Sequence, residues 1–333
     1  MDGFEVMNKQ ITNTKVLVTG GAGFIGSHLV DSLLANNNEV ICLDNFATGR
    51  RENLVSALKN PLFTLIEGDI RDRSVCRKAM ENVKIVFHEA ALGSVPRSIA
   101  DPAESTSVNV AGFVNILHAA VEAKVGSFVY ASSSSVYGDE EKLPKTEERI
   151  GTALSPYAVT KYADELFGAN FASVYGIKVT GLRYFNVFGP RQDPRGAYAA
   201  VIPRFVTALL RHESPVIYGD GTNSRDFTFV ANVVSANILA ALREGSGHRV
   251  YNVAAGGRTN LNELFCSLRE ALVLRGVPCG DVQVEYAPGR AGDIPHSFAD
   301  VSRAEQELGY RSLYDIKAGI REMVGYYMEN FGK

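Results

Sequence analysis

One turn constrains this chain more than any other stretch. The sequence Gly20-Gly21-Ala22-Gly23-Phe24-Ile25-Gly26 follows the apolar run Val16-Leu17-Val18. It opens a helical pattern over 24–34, in which Ile25, Leu29, Leu33 and Leu34 share one stripe. The central glycine stands one residue further on than in the G-x-G-x-x-G fingerprint, and the physics is unchanged. Gly20 permits a tight turn, Gly23 lets a pyrophosphate approach the backbone, and Gly26 allows close packing of helix on strand. The helix start offers free N–H donors and a positive dipole end to an anion.

Short apolar runs alternating with helical patterns continue through the first half, as a parallel α/β sheet requires. Strands are predicted at 40–43, 63–66, 85–87, 127–130 and 178–182, and helices at 74–80, 105–123 and 156–175. Beyond Tyr184 the character changes, and 189–199 reads as a loop rich in Gly, Pro, Gln and Arg. Helices near 201–210 and 230–242 follow, with short strands near 215–217 and 226–229 and further pieces at 250–253 and 261–274. The expected fold is a Rossmann-like, doubly wound parallel sheet over 1–185 with a smaller mixed α/β lobe over 186–333. Part of 215–255 should return to the sheet. Ligands should bind beyond the carboxyl ends of the strands.

Composition narrows the partners. Lys plus Arg number 34 and Asp plus Glu 37, a formal net charge of −3, so nothing electrostatic favours nucleic acid or an anionic membrane. Residues 1–14 hold no apolar signal-peptide core, and the longest stretch free of charged residues, 105–121, is one buried helix long. A cytoplasmic protein is expected. Cys42, Cys76, Cys266 and Cys279 form no CxxC and match no zinc spacing, so no metal site is predicted; they read as small buried hydrophobes.

Asp44 ends the second predicted strand. An acid there accepts hydrogen bonds from adenosine ribose hydroxyls and repels a 2′-phosphate, which favours NAD over NADP. Arg50 and Arg51 lie further along and could in principle hold a phosphate. Asp69 follows the third strand and either meets the adenine or caps the next helix. Tyr157 and Lys161 share a helix face at i, i+4, shortly after Ser133 at the end of a strand. A phenol alone is a poor base at neutral pH, and a lysine ammonium and a cationic nicotinamide ring both stabilise its phenolate. Ser133 can bridge a substrate hydroxyl to that phenolate.

These residues carry a resemblance. The stretches GGAGFIG (20–26), LDN (43–45), GDIRD (68–72), ASSSSVYG (131–138), SPYAVTK (155–161), LRYFNVFGPRQ (182–192), GAYAAVIPRF (196–205), GDGTNSRDF (219–227) and RAGD (290–293) resemble the extended short-chain dehydrogenase/reductases, specifically the nucleotide-sugar 4-epimerases. The resemblance covers about 15–300. It implies Ser133, Tyr157 and Lys161 as the catalytic set. It implies an NAD site formed by Gly20, Gly23, Phe24, Ile25, Gly26, Asp44, Asn45, Phe46, Thr48, Gly49, Asp69, Ile70, Ala90, Ala91, Tyr157, Lys161 and Tyr184. For a UDP-sugar it implies Gly93, Ser94, Ser133, Ser134, Tyr157, Asn186, Ala200, Val201, Arg204, Tyr218, Arg225, Arg290, Asp293 and Ser297. Arg225 and Arg290 would clamp the diphosphate, as forked, permanently charged groups do. The family also implies a two-fold homodimer through the helices at 105–123 and 156–175.

Two departures refine the class. Sugar-nucleotide 4,6-dehydratases carry an Asp-Glu pair where this chain has Ser134-Ser135, and serines cannot protonate a leaving hydroxyl as a carboxylic acid does. Ser297 falls where epimerases restricted to simple hexoses carry a bulky residue, leaving room for an N-acetyl group. The expected reaction interconverts UDP-N-acetylglucosamine and UDP-N-acetylgalactosamine through a 4-keto intermediate and transient NADH. The alternatives are UDP-glucose or UDP-glucuronate 4-epimerisation, the latter with Arg97 as carboxylate partner. More distant is a non-catalytic NAD sensor, against which the intact Ser–Tyr–Lys set argues.

Overall fold

The computed structural model describes residues 9–195, 199–289 and 295–332. The first half runs β1 (Lys15–Thr19), α1 (Phe24–Ala35), β2 (Glu39–Asp44), β3 (Phe63–Glu67), α2 (Arg73–Ala79), β4 (Ile85–His88), α3 (Val95–Ala100), α4 (Pro102–Thr106), α5 (Phe113–Glu122), β5 (Ser127–Ser133), α6 (Pro156–Tyr175) and β6 (Val179–Tyr184). The remainder runs β7 (Val187–Phe188), α7 (Val201–Leu210), β8 (Val216–Tyr218), β9 (Ser224–Arg225), β10 (Thr228–Phe229), α8 (Val230–Ala241), β11 (His248–Val253), β12 (Thr259–Asn260), α9 (Leu261–Val273), β13 (Glu285–Ala287), α10 (Ser302–Leu308) and α11 (Ile316–Phe331).

Seven parallel strands form the central sheet in the order β11-β6-β5-β4-β1-β2-β3. The chain starts in the middle, winds outward through β2 and β3, then crosses back to β4. The switch point therefore lies between β1 and β4, and it opens a crevice at their carboxyl ends. Both faces are covered, so the central strands β1, β2 and β4 carry continuous apolar runs (16–18, 40–43 and 85–87) instead of alternating. Val16 and Val18 pack into the layer with Leu29, Leu33 and Val233, while Leu17 packs into the opposite layer with Ile116, Leu117 and Phe171. A third core, with Phe205, Leu209, Leu264, Leu268 and Tyr327, lies under the smaller lobe. The late strand β11 pairs with β6 and completes the sheet edge.

Four local expectations change. The helix predicted over 105–123 is interrupted: Ser107–Gly112 forms a π turn between α4 and α5. Two tertiary contacts accompany it. Asn109 accepts from Leu92 N–H (2.8 Å) and donates to Thr160 Oγ1 (3.1 Å), and a Cβ on Gly112 would lie 2.5 Å from Ile70 Cδ1. Helix α3 was not predicted; Ser94 caps it, accepting from Arg97 N–H at 3.2 Å. The strand expected near 226–229 is two pieces, with β9 antiparallel to β12 and β10 parallel to β7. Cys42, Cys76 and Cys279 are buried, but Cys266 is exposed. On α9 it lies out of phase with the buried stripe Leu264, Phe265, Leu268 and Leu272. Among the described residues no helix is long and apolar enough to cross a membrane.

Candidate active site

The glycine turn is locked by its surroundings. Gly20 has φ +68°, and a Cβ there would lie 2.6 Å from the Ala90 nitrogen. A Cβ on Gly26 would come within 2.2 Å of the Gly20 carbonyl oxygen. Helix α1 starts at Gly23 with no side-chain cap and no acid in its first turn, so its leading N–H groups keep their capacity for an anion. Buried Asp44 ties this turn to the end of β2. Its Oδ2 accepts from Ala22 N–H at 2.9 Å and its Oδ1 from Phe46 N–H at 2.8 Å. Burial pushes the Asp44 carboxyl above the usual aspartate range, opposed by those two donors.

Asp69 does not cap α2. Asp72 caps α2, accepting from Ser74 N–H at 2.8 Å. Asp69 instead accepts from Arg71 (2.8 and 3.0 Å) and from Asn45 Nδ2 (3.0 Å). The Arg71 guanidinium holds its carboxyl down at about 2. Arg50 pairs with Asp193 and Arg51 with Glu67. Carboxylates thus engage both arginines that a 2′-phosphate would need.

Ser133 closes β5, and its Oγ accepts from Ser135 N–H at 3.1 Å. Ser155 caps α6, with Pro156 in the first turn, which sets Tyr157 at the start of the helix and Lys161 one turn on. Ser98 of α3 accepts from Tyr157 N–H at 3.0 Å and fixes that start. Lys161 is buried and donates to the Ala131 carbonyl (2.9 Å) and to Asp164 Oδ2 (3.2 Å). Burial works against its ammonium, and the charges of Asp164 and Tyr157 outweigh it, so its pKa lies above the ordinary lysine value.

A cleft of about 550 Å³ runs over these strand ends. It joins Gly20, Gly23 and Gly26 to Ser133, Ser134, Tyr157, Lys161 and Tyr184, with Gly93, Ser94 and Arg97 across from them. Beside it, Gly20, Gly23, Asp44, Asn45, Thr48, Ile70, Ala90 and Ala91 line a narrower recess. The donors and acid of an NAD site are therefore contiguous, and the glycine cradle leaves the space a side chain would fill.

A second cavity, about 310 Å³, lies in the smaller lobe. Asn186, Ala200, Val201, Arg204, Tyr218 and Arg225 all line it, and Asn186 and Ala200 also line the cleft. Arg225 donates to the carbonyls of Ser224 (2.9 Å) and Pro295 (3.1 Å). Ser297 is not among the residues lining either hollow. Its N–H donates to Ser224 O at 3.0 Å, next to a parallel bridge between Ser224 and His296. Arg290 and Asp293 lie outside the described residues.

Two acids were missed. Glu89, just past β4, lines the cleft and accepts from Tyr184 O–H at 2.7 Å; burial pushes its carboxyl up to about 7. Its place at a strand's carboxyl end beside Ala90-Ala91 was the available signal. Asp164 could have been found from its i+3 spacing to Lys161.

The NAD dependent epimerase/dehydratase family model matches residues 16–254. The chain belongs to this family. It is an NAD-dependent enzyme of the isomerase class. The UDP-glucose 4-epimerase of Mycolicibacterium smegmatis is 38% identical over 94% of this chain and 98% of that one. Among solved family structures, the UDP-N-acetylglucosamine 4-epimerase from Methanobrevibacter ruminantium M1, in complex with UDP-N-acetylmuramic acid, is 39% identical with a TM-score of 0.90. The match covers 96% of this chain and 100% of that one. The UDP-glucuronic acid 4-epimerase from Bacillus cereus, bound to UDP-glucuronic acid and NAD, is 28% identical with a TM-score of 0.86, over 95% and 100%.

Proposed function

We propose that this enzyme inverts C4 of a UDP-hexose and that its preferred pair is UDP-N-acetylglucosamine and UDP-N-acetylgalactosamine. The observation that carries the reading is continuity: one cleft joins the glycine turn to Ser133, Tyr157 and Lys161, and passes by Asn186 and Ala200 into the cavity of Tyr218 and Arg225. The 1–185 unit binds NAD, and the lobe over 186–333 binds the nucleotide end of the substrate. Bound NAD supplies a hydride acceptor that also returns the hydride. Tyr157, as phenolate, takes the proton of the sugar 4-hydroxyl, and Ser133 bridges the two oxygens. The Lys161 ammonium stabilises the phenolate. Arg225 holds the diphosphate firmly, with Arg290 as its partner in the family pattern. The sugar is held loosely, so the 4-keto species can turn over and present its opposite face for hydride return, and Tyr157 then gives its proton back to the 4-oxygen.

The N-acetyl preference draws on the sugar wall. A Cβ on Gly93 would meet no atom within 4 Å, and Ser94 and Ser134 offer small hydroxyl-bearing sides. Similarity to the N-acetylglucosamine epimerase structure agrees with this. Arg97, which also lines the cleft, favours UDP-glucuronate as the second reading. Product analysis by NMR with acetylated, plain and carboxylated UDP-sugars decides between them. Turnover confined to UDP-glucuronate would reject the N-acetyl assignment.

We also propose a cytoplasmic two-fold homodimer. On α6, Val159, Leu166 and Val174 are 55, 56 and 62% exposed, and Ile99 of α3 is 63% exposed, which leaves apolar surface for a second copy. A monomer in sedimentation at micromolar concentration would contradict it.

A further inference from the structure

Lys161 does not face Tyr157 as an isolated charge. Asp164 lies one turn further along α6, its side chain fully buried, with Oδ2 3.2 Å from Lys161 Nζ. Its other oxygen, Oδ1, is buried and has no hydrogen-bond partner among the described residues. The neighbouring acid is arranged differently. Glu165 accepts from Ser132 at 2.6 Å and is clamped by Arg183 at 2.7 and 2.8 Å. Arg183 therefore neutralises Glu165, and among the described residues Lys161 is the cation paired with Asp164.

We propose that Asp164 is a positioning residue: it pins the Lys161 ammonium beneath the Ala131 carbonyl and offsets its charge, so that the lysine's field at Tyr157 is weaker than that of an unpaired ammonium. A buried carboxylate with an unsatisfied oxygen is costly to keep unless a nearby cation uses it. Here the cation is the group assigned to stabilise the phenolate, and the carboxylate sits on its far side. The pair's net charge, not the lysine's alone, faces the phenol.

Asp164 also makes that field depend on pH. Burial pushes its carboxyl up to about 7, with Lys161 opposing and Glu165 adding to the rise. Below that pH the acid is neutral and Lys161 acts at full strength; above it the pair is nearly neutral. The other groups around this centre are Tyr130 of β5, Arg183 of β6, and His88 and Glu89 at the end of β4. Tyr130 and His88 are neutral at pH 7: burial drives the former's pKa well up and the latter's down to about 3.

The inference rests on the role of Tyr157 given above, and the experiment separates the two. The holoenzyme, Asp164→Asn, Tyr157→Phe and the double variant are compared. The readouts are the pH profile of kcat/KM with UDP-N-acetylglucosamine and the phenolate absorbance lost on adding Tyr157→Phe to each background. Removing the negative charge strengthens the positive field at Tyr157 and favours phenolate. Above about pH 7, where Asp164 is ionised in the wild type, the acid limb and the phenolate signal should then move to lower pH by up to about one unit. Where Asp164 is neutral, the variant and the wild type should coincide. In a Lys161→Met background the substitution should move neither. Asp164→Ser, also neutral, gives the same comparison should the Asn variant fold poorly. An unmoved limb in a folded neutral variant overturns the role of Asp164. A shift that persists without Lys161 overturns it equally. If Tyr157→Phe turns over like the wild type, the assignment of Tyr157 itself falls.

Discussion

On the sheet side of the cleft, Gly20, Asp44, Glu89, Ser133 and Tyr184 sit at or just past the carboxyl ends of five parallel strands. On the lobe side, Tyr218 and Arg225 hang on strands of three and two residues, and Asn186 takes φ +34° between β6 and β7. The sheet side is fixed by ladders running its whole length, so a residue's position along its strand gives its place in the site. The lobe side depends on short pairings and loops, such as the single bridge between Ser224 and His296 beside Ser297. Rigid placement suits the groups that exchange protons, where small displacements are costly. The lobe-side groups are the ones proposed to hold the diphosphate.

This contrast can be broken first at Tyr157. Tyr157→Phe should keep the fold and the bound NAD, measured by circular dichroism and by cofactor release on denaturation. It should lose ~10²–10⁴ in kcat. Near-wild-type turnover would remove the sheet side from the chemistry. On the lobe side, Arg225→Ala should act mainly through KM, raising it ~10–100-fold for loss of a charged hydrogen bond. A fall in kcat alone would mean that Arg225 serves the reacting centre.

A paired test sharpens the difference between the two walls. Gly93→Val places bulk in open space beside the sugar. It should lower the kcat/KM ratio of acetylated to plain substrate by about tenfold, the worth of one or two methyl groups in a pocket. Ser297→Tyr should leave that ratio unchanged, because Ser297 lines neither hollow. The reverse result would return Ser297 to the sugar wall.

The smallest effect concerns stability at the adenosine rim. Asp69 falls from an ordinary 3.8 to about 2 in the folded protein, chiefly through Arg71. A depressed carboxyl contributes stability that is present above 3.8 and is lost as the pH falls towards 2. Asp69→Asn should therefore be slightly less stable at pH 6 and lose less on acidification across that window, read by urea melts at each pH. A parallel acid loss in both proteins would show that the Arg71 pair contributes nothing.

The parallel sheet, the glycine turn, Asp44 and the Ser133–Tyr157–Lys161 set were legible from the chain because each is a local pattern. A strand period, a helix spacing or a turn that only glycine can make is decided within a few residues. The π turn at 107–112 was not, because it goes with contacts from elsewhere in the chain, Asn109 to Leu92 and Thr160 and Gly112 against Ile70. The capping of α2 by Asp72 and the engagement of Asp69 by Arg71, by contrast, are contacts between near neighbours that the spacing left open between Asp69 and Asp72. For the two buried acids the sequence carried a position, the i+3 spacing of Asp164 to Lys161 and the strand-end place of Glu89, but not their burial. In sequence Asp164 is one more polar residue on a helix, and Glu89 one more acid in a loop. Only packing removed them from water and brought Tyr184 to Glu89, and desolvation with those contacts gives each its chemistry.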